Sequence, residues 1–406
     1  MKLIFLSLFF MKMFIIKKIF ILINIMIPAI LGVLSLIVLG KQKNYRKHLV
    51  SNKVFQYLTL LFILSFLSVS VGLFNGFSFI NALSFSSKFL MIIFIFISSF
   101  YLGMYMNKKY FQITISIILY LHVCAGIIFY FLGYGEIIDD ILRPIGLFEY
   151  PNHLANITSF SFFFFLIFYI ETKKVFSFHI FGIIFSFLLI ILSASLKNLL
   201  VLFPVLLMYF FLKKGFKGII YFISLIVPLI ILILILFPDL SVFQRLSELS
   251  LNSLEYEVKT GEKLESSFQW RMLHWSLLVK DWWSNYLYFG GGLGQSVNMN
   301  GLKMPNGDGF APHSDIIRFI IEYGIVFATI FFFIMIKFYM LFKENMKTYN
   351  TPNYIFIFLI YINFILSGFG GNVFYTLAFI YLFWMYVGFF EGNKYYYFIN
   401  NRKGKI

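Results

Sequence analysis

Apolar runs long enough to cross a bilayer recur down almost the whole of this chain. A spanning helix needs ~20 mostly apolar residues. The run LTLLFILSFLSVSVGLF within 54–75 is typical, and 61% of all residues are hydrophobic against 12% charged. Soluble domains carry about a quarter charged residues, so a soluble multidomain chain is excluded. The pattern predicts an all-α integral membrane protein of twelve transmembrane helices, at 3–16, 19–40, 54–75, 88–106, 110–134, 153–170, 175–193, 198–212, 218–237, 315–342, 354–369 and 373–390. No small-residue cleavage site follows the first run, so no signal peptide is expected. Pro204 lies in the eighth span, where neighbouring helices can satisfy the freed backbone.

Loop charges orient the spans. Lys41, Lys43, Arg46, Lys47, Lys53, Lys108, Lys109, Lys173, Lys174, Lys213, Lys214, Lys217, Lys343 and Lys347 fall on one side if the N terminus is cytoplasmic. Basic loops mark the cytoplasm. The alternate loops, 76–87, 135–152, 194–197, 238–314 and 370–372, then face out. The chain divides into 1–237 (spans one to nine), 238–314 (a large, partly helical extracytoplasmic loop), 315–390 (spans ten to twelve) and 391–406 (a basic cytoplasmic tail). Helix-like runs are expected at 240–257 and 267–283. The formal net charge of +16 belongs to those cytoplasmic loops, and no nucleic-acid partner is expected. Cys124 is the only cysteine, so no internal disulfide or thiolate metal site can form.

The longest polar stretch runs from Trp270 to Gly324, through WRMLHW, YFGGGLGQ and PHSDIIRFIIEYG. In the last of these, Asp315, Arg318 and Glu322 fall at helical spacing on one face. That stripe is either an ion-pair ladder docking span ten or part of a site. His313 stands at the helix mouth, beside Ser314. It is a group able to accept a proton near neutral pH, or an interfacial histidine without chemistry. Arg143, Lys197, Arg245, Arg271 and Lys303 are cations on the outer face, against the usual bias. Guanidinium groups suit phosphate oxygens, and outer cations above an apolar bundle suit a lipid-linked diphosphate. Lys303 reads as a solvated charge, and Arg271 between aromatics also fits cation–π packing. Gly290, Gly291, Gly292 and Gly294 allow a close turn without a nucleotide-binding unit around it. No metal-binding spacing appears, and Asp139-Asp140 reads as a solvated turn.

Arg271 with Trp275, Gly292 with Gly294, His313-Ser314, and Glu322 with Gly324 follow one another in an order that resembles the O-antigen ligase/polymerase family. These are bacterial membrane glycosyltransferases of the GT-C type. The earlier loop is similar too, in Arg143, Gly146, Phe148, Pro151-Asn152 and Ala155. The chain departs from the pattern at Phe327, where a glycine is usual, and at LSASLKN, where Ser195 and Lys197 replace a Ser-Arg pair.

The resemblance implies a metal-independent transfer, without cofactor, from a glycan on undecaprenyl diphosphate. The site would lie on the outer face of the bacterial inner membrane. Arg271 and Arg143, helped by Lys197 or Arg245, would hold the diphosphate. His313 would act on the attacking hydroxyl, and Glu322 would orient span ten or pair with Arg318. Asp315, Asn152, Trp275, Gly292 and Gly294 would support them. The acceptor would be another lipid-linked repeat unit for a surface-polysaccharide polymerase, the favoured reading, or lipid A-core for a ligase. A chain-length regulator protein is a further implied partner. The rival outside the enzymes is a polysaccharide flippase, whose cations would line a central cavity.

Overall fold

The computed structural model of the chain describes residues 30–34, 36–37, 41, 43–77, 79–138, 141–148, 150–172, 178–224, 228, 267–303 and 309–395. The spans expected at 3–16 and most of 19–40, the end of 218–237, the run 240–257 with Arg245, the pair Asp139-Asp140 and the tail beyond 395 lie outside the described residues.

The described helices are α1 (Lys43–Val50), α2 (Lys53–Phe74), α3 (Phe79–Tyr105), α4 (Lys108–Phe131), α5 (Pro151–Thr172), α6 (Phe178–Leu192), α7 (Leu196–Lys214), α8 (Ser267–Asn285), α9 (Asp315–Tyr349), α10 (Pro352–Phe369) and α11 (Leu377–Asn393). Seven of them, α2 to α5, α7, α9 and α10, are long and apolar enough to cross a membrane. The shorter α6 is also apolar. The protein is a largely helical, multi-pass membrane protein.

α11 is buried along nearly all of its length. A helix that is apolar all round belongs inside a bundle. Its tightest neighbour is α3. Gly388 and Gly392 sit one turn apart on α11, and a Cβ at Gly392 would run into the Phe100 carbonyl of α3. Small residues at this spacing let membrane helices approach closely.

One end of the bundle is tied by a polar network. Asn52 caps α2 through its side-chain oxygen, and its Nδ2 donates to Glu391 Oε2 at 2.8 Å. Asn345 of α9 donates to Glu391 Oε1 at 3.1 Å, and Lys394 pairs with the same oxygen at 2.7 Å. A buried carboxylate needs such partners, because an isolated buried charge is costly.

At the other end, three segments differ from the sequence expectation. The Arg143 loop is a β-hairpin, β1 (Gly135–Ile138) against β2 (Ile141–Pro144), with Glu136 opposite Arg143. α3 starts at Phe79, well before the expected span at 88. α9 runs to Tyr349 but breaks at Gly324, with φ 66° and ψ 177°. The expected helix at 267–283 is present as α8.

Candidate functional site

The break in α9 is where the site is built. At an unbroken helix the amides of Ile325 and Val326 would donate to the carbonyls of Ile321 and Glu322. Here all of these groups are freed, and the glycine turn satisfies them. Gly291 and Gly292 donate to the Ile321 and Glu322 carbonyls, each at 3.0 Å, while Ile325 and Val326 donate to the Leu287 and Tyr288 carbonyls at 2.9 and 3.0 Å. Non-helical backbone inside a membrane bundle is tolerated only where protein supplies such partners. Glycine is required on both sides of the joint. Gly292 has φ +99°, and a Cβ there would strike Gly72 of α2. Gly324 has φ +66°, and its Cβ would strike the Gly290 amide.

Glu322 locks this joint from the side-chain direction. Its Oε1 accepts from the Ser296 amide at 3.2 Å and the Ser296 hydroxyl at 2.5 Å, and lies 3.7 Å from Arg318 Nε. Glu322 and Arg318 are both buried. Glu322 therefore ties the glycine turn to Arg318 through Oε1, while its Oε2 is buried with no hydrogen-bond partner among the described residues.

The helix mouth is held by its neighbours. Ser314 is the N-cap of α9: its hydroxyl accepts from Ile317 N and donates to the Gly368 carbonyl at 3.3 Å. Such a cap satisfies one of the orphan amides of a first turn. The Asp315 amide donates to the Gly371 carbonyl at 3.2 Å, and Asp315 Oδ2 accepts from Phe374 N at 2.9 Å. Its Oδ1 is buried with no hydrogen-bond partner among the described residues.

His313 has a left-handed backbone, φ 53°. A residue with a Cβ adopts this conformation at a cost of about 1–2 kcal/mol, and α8 enforces it. Trp275 Nε1 donates to the Pro312 carbonyl just before the turn. The His313 ring meets Trp270 edge to face at 5.4 Å. Elsewhere on α8, His274 Nδ1 accepts from Leu302 N at 3.0 Å, and Asp281 accepts from Asn300 N at 3.0 Å. These contacts rivet the returning loop to the helix.

One side of the His313 ring is open to the surface while protein crowds the other. Lost hydration first, then the charges of Arg271, Arg318 and His274, lower its pKa from the usual 6.5 to about 4. The ring is therefore neutral at physiological pH, the form that accepts a proton. A histidine whose pKa falls on folding favours the fold above pH 6.5 and loses that contribution as pH drops toward about 4. For a base with this pKa, kcat/KM should hold through pH 6.5 and fall only as pH nears about 4. A pH–rate profile with its acid limb at 6.5 or above would contradict this assignment.

Lys197 approaches from α7. Its Nζ donates to Asn156 Oδ1 at 3.0 Å. Its chain lies against the Gly370–Gly371 turn, where a Cβ on Gly371 would come 2.7 Å from Nζ. Lys197 is within electrostatic reach of both Asp315 and Arg271. Asn152 accepts from Ser195 at 3.4 Å, two residues before Lys197. Arg143 is buried in β2, which packs on α4, α5 and α6. Lys303 is exposed.

The structure thus gathers Arg271, His313, Lys197, Asp315 and Arg318 at one end of the bundle, with Glu322, Trp275, Gly292 and Gly324 as their supports. Gly294, φ 80°, belongs to the same turn. Beside Asp315 begins an apolar cavity of about 300 Å³ between α9 and α10, lined by Phe319, Phe331, Met335, Tyr361 and Phe364 among others.

The sequence reading missed Lys88. It lies inside the span Ala82–Tyr105, with Nζ 4.1 Å from the Phe85 ring centroid. The available signal was a lysine within FSSKFLMII, hidden because the span was expected to begin at that residue. In comparisons with known proteins, the chain matches no family model and no curated sequence.

Proposed function

We propose that this protein is a membrane glycosyltransferase that moves a glycan from a polyprenyl diphosphate onto a sugar hydroxyl. The gathering of a neutral His313 with Arg271 and Lys197, next to an apolar cavity, carries this reading. Cations there suit the diphosphate, and the cavity suits a lipid chain. The acceptor hydroxyl attacks the anomeric carbon and gives its proton to His313. The bond from that carbon to the diphosphate oxygen breaks, and Arg271 and Lys197 meet the charge that develops on the leaving group.

Among the acceptors, we favour another lipid-linked repeat unit, which makes the protein a polymerase of O-antigen or a related surface polysaccharide. The reaction is placed at the extracytoplasmic face of the bacterial inner membrane. This rests on the loop-charge bias and on the resemblance of the His313, Arg271 and Glu322 segments to that family.

Complementation of a deletion strain tests the reading. Loss of a polymerase leaves a single repeat unit on the surface polysaccharide, whereas loss of a ligase leaves bare core and accumulated lipid-linked polymer. Arg271→Ala should behave like the deletion, because a lost transition-state donor costs ~10²–10³ in rate. Normal polysaccharide from an Arg271→Ala strain would count against the mechanism.

A further inference from the structure

The tie that holds Lys197 has no part in the transfer described above, and it runs through two buried neutral side chains. A lysine carries its charge on a flexible four-carbon stem, so an outside contact must fix its ammonium. Lys197 Nζ donates to Asn156 Oδ1 of α5 at 3.0 Å. At the other end of that amide, Asn156 Nδ2 donates to Thr376 Oγ1 at 2.8 Å. Asn156 and Thr376 are both buried. With its nitrogen held by Thr376, the amide turns its oxygen toward the ammonium.

Thr376 stands at the N-cap of α11, yet its side chain makes no capping bond there. A threonine at such a position ordinarily gives its oxygen to the first amides of the helix. Here Oγ1 accepts from Asn156 instead. The same turn before α11 also holds the mouth of α9. The Gly371 carbonyl accepts from the Asp315 amide at 3.2 Å, and the Phe374 amide donates to Asp315 Oδ2 at 2.9 Å. Asp315 follows His313 by two residues. One turn thus fixes Lys197 on one side and the His313 segment on the other.

The neutrality of Asn156 has a chemical consequence. An amide oxygen orients an ammonium without cancelling its charge, whereas a carboxylate at the same distance would offset much of it. Resting on the glycosyltransferase reading above, we propose that Asn156 and Thr376 are positioning residues for the transfer. They hold the Lys197 ammonium, with its charge intact, in fixed register with His313, so that it meets the diphosphate as the glycan leaves. A tie that only joined helices would resemble the neighbouring link between α5 and α7, where the Ser159 hydroxyl donates to Asn198 Oδ1 at 3.2 Å.

Transfer from an undecaprenyl-diphosphate-linked repeat unit in liposomes, measured beside a thermal melt of each variant, tests this. Asn156→Asp keeps an acceptor for Lys197 and for the Thr376 hydroxyl, so the melting temperature should hold. The new carboxylate offsets the ammonium, and kcat/KM should fall ~10–100-fold, the cost typical of losing a residue that orients a ligand-holding group. Thr376→Val should lose a similar factor, and Thr376→Ser should keep wild-type activity. Ser159→Ala should leave kcat/KM unchanged. Wild-type kcat/KM in Asn156→Asp or in Thr376→Val would overturn the positioning role and leave the transferase reading standing. An equal loss in Ser159→Ala would overturn it as well, since any broken helix tie would then suffice. If Asn156→Asp does not fold, the Thr376 pair decides. No transfer by the wild-type protein would remove the transferase reading and the positioning role together.

Discussion

Replacing His313 with asparagine is expected to cut turnover by ~10²–10⁴-fold, the usual contribution of a positioned acid–base group, while the protein stays folded. Asparagine is the better substitution than alanine, because position 313 has φ 53° and asparagine tolerates the left-handed region. The backbone anchors, Trp275 to the Pro312 carbonyl and the Ser314 cap, do not involve the His313 side chain. Melting temperature should therefore barely move, and KM should change little beside kcat. The measurement is steady-state transfer alongside a thermal melt. A variant with near-normal kcat would remove His313 from the chemistry, whatever the fate of Arg271.

The second large effect is on folding. Gly324→Ala should destabilise the protein by ~3 kcal/mol or more and expose α8 and the glycine turn to protease. At φ 66° and ψ 177°, a region essentially confined to glycine, an alanine costs about 1–3 kcal/mol, and its Cβ would meet the Gly290 amide. Displacing the turn then strands up to four backbone groups, and each unsatisfied buried group costs about 1–3 kcal/mol. Gly292→Ala should act similarly, through Gly72 of α2. Thermal melts in detergent with limited proteolysis read both. A Gly324→Ala protein as stable as wild type would mean that the joint contributes little to the fold.

Those two positions also show what the sequence could reveal. Hydropathy alone located most described spans, because a helix that must satisfy its own backbone in lipid leaves a long apolar run. Lysine-rich loops separated the two ends in the sequence, and in the structure the ends of two expected spans meet loops expected outside: Asn75 reaches the Gly290 carbonyl at 3.2 Å, and Asp315 reaches Gly371. The glycines announced a close turn, but not its partner. That partner is a helix break, and the hydrogen bonds joining the two pair residues about thirty positions apart, as in Gly291 with Ile321. Periodicity carries no information on such pairing. Glu322 was readable as a neighbour of Arg318, yet its bonds to Ser296 depend on the same joint. Lys88 was lost for a simpler reason: α3 begins at Phe79, so a lysine at the edge of the apolar window is in truth deep in the helix. The Arg143 hairpin escaped notice because a short polar loop between two spans has no periodic signal of its own.

The central claim, glycan transfer from a lipid diphosphate by this chain, is tested most directly by reconstitution. Purified protein in liposomes is given a synthetic undecaprenyl-diphosphate-linked repeat unit and nothing else, and the products are resolved by gel and mass spectrometry. The account predicts a ladder of lipid-linked oligomers with release of undecaprenyl diphosphate, absent with His313→Asn. Intact substrate with the wild-type protein, or an equal ladder with His313→Asn, would contradict it.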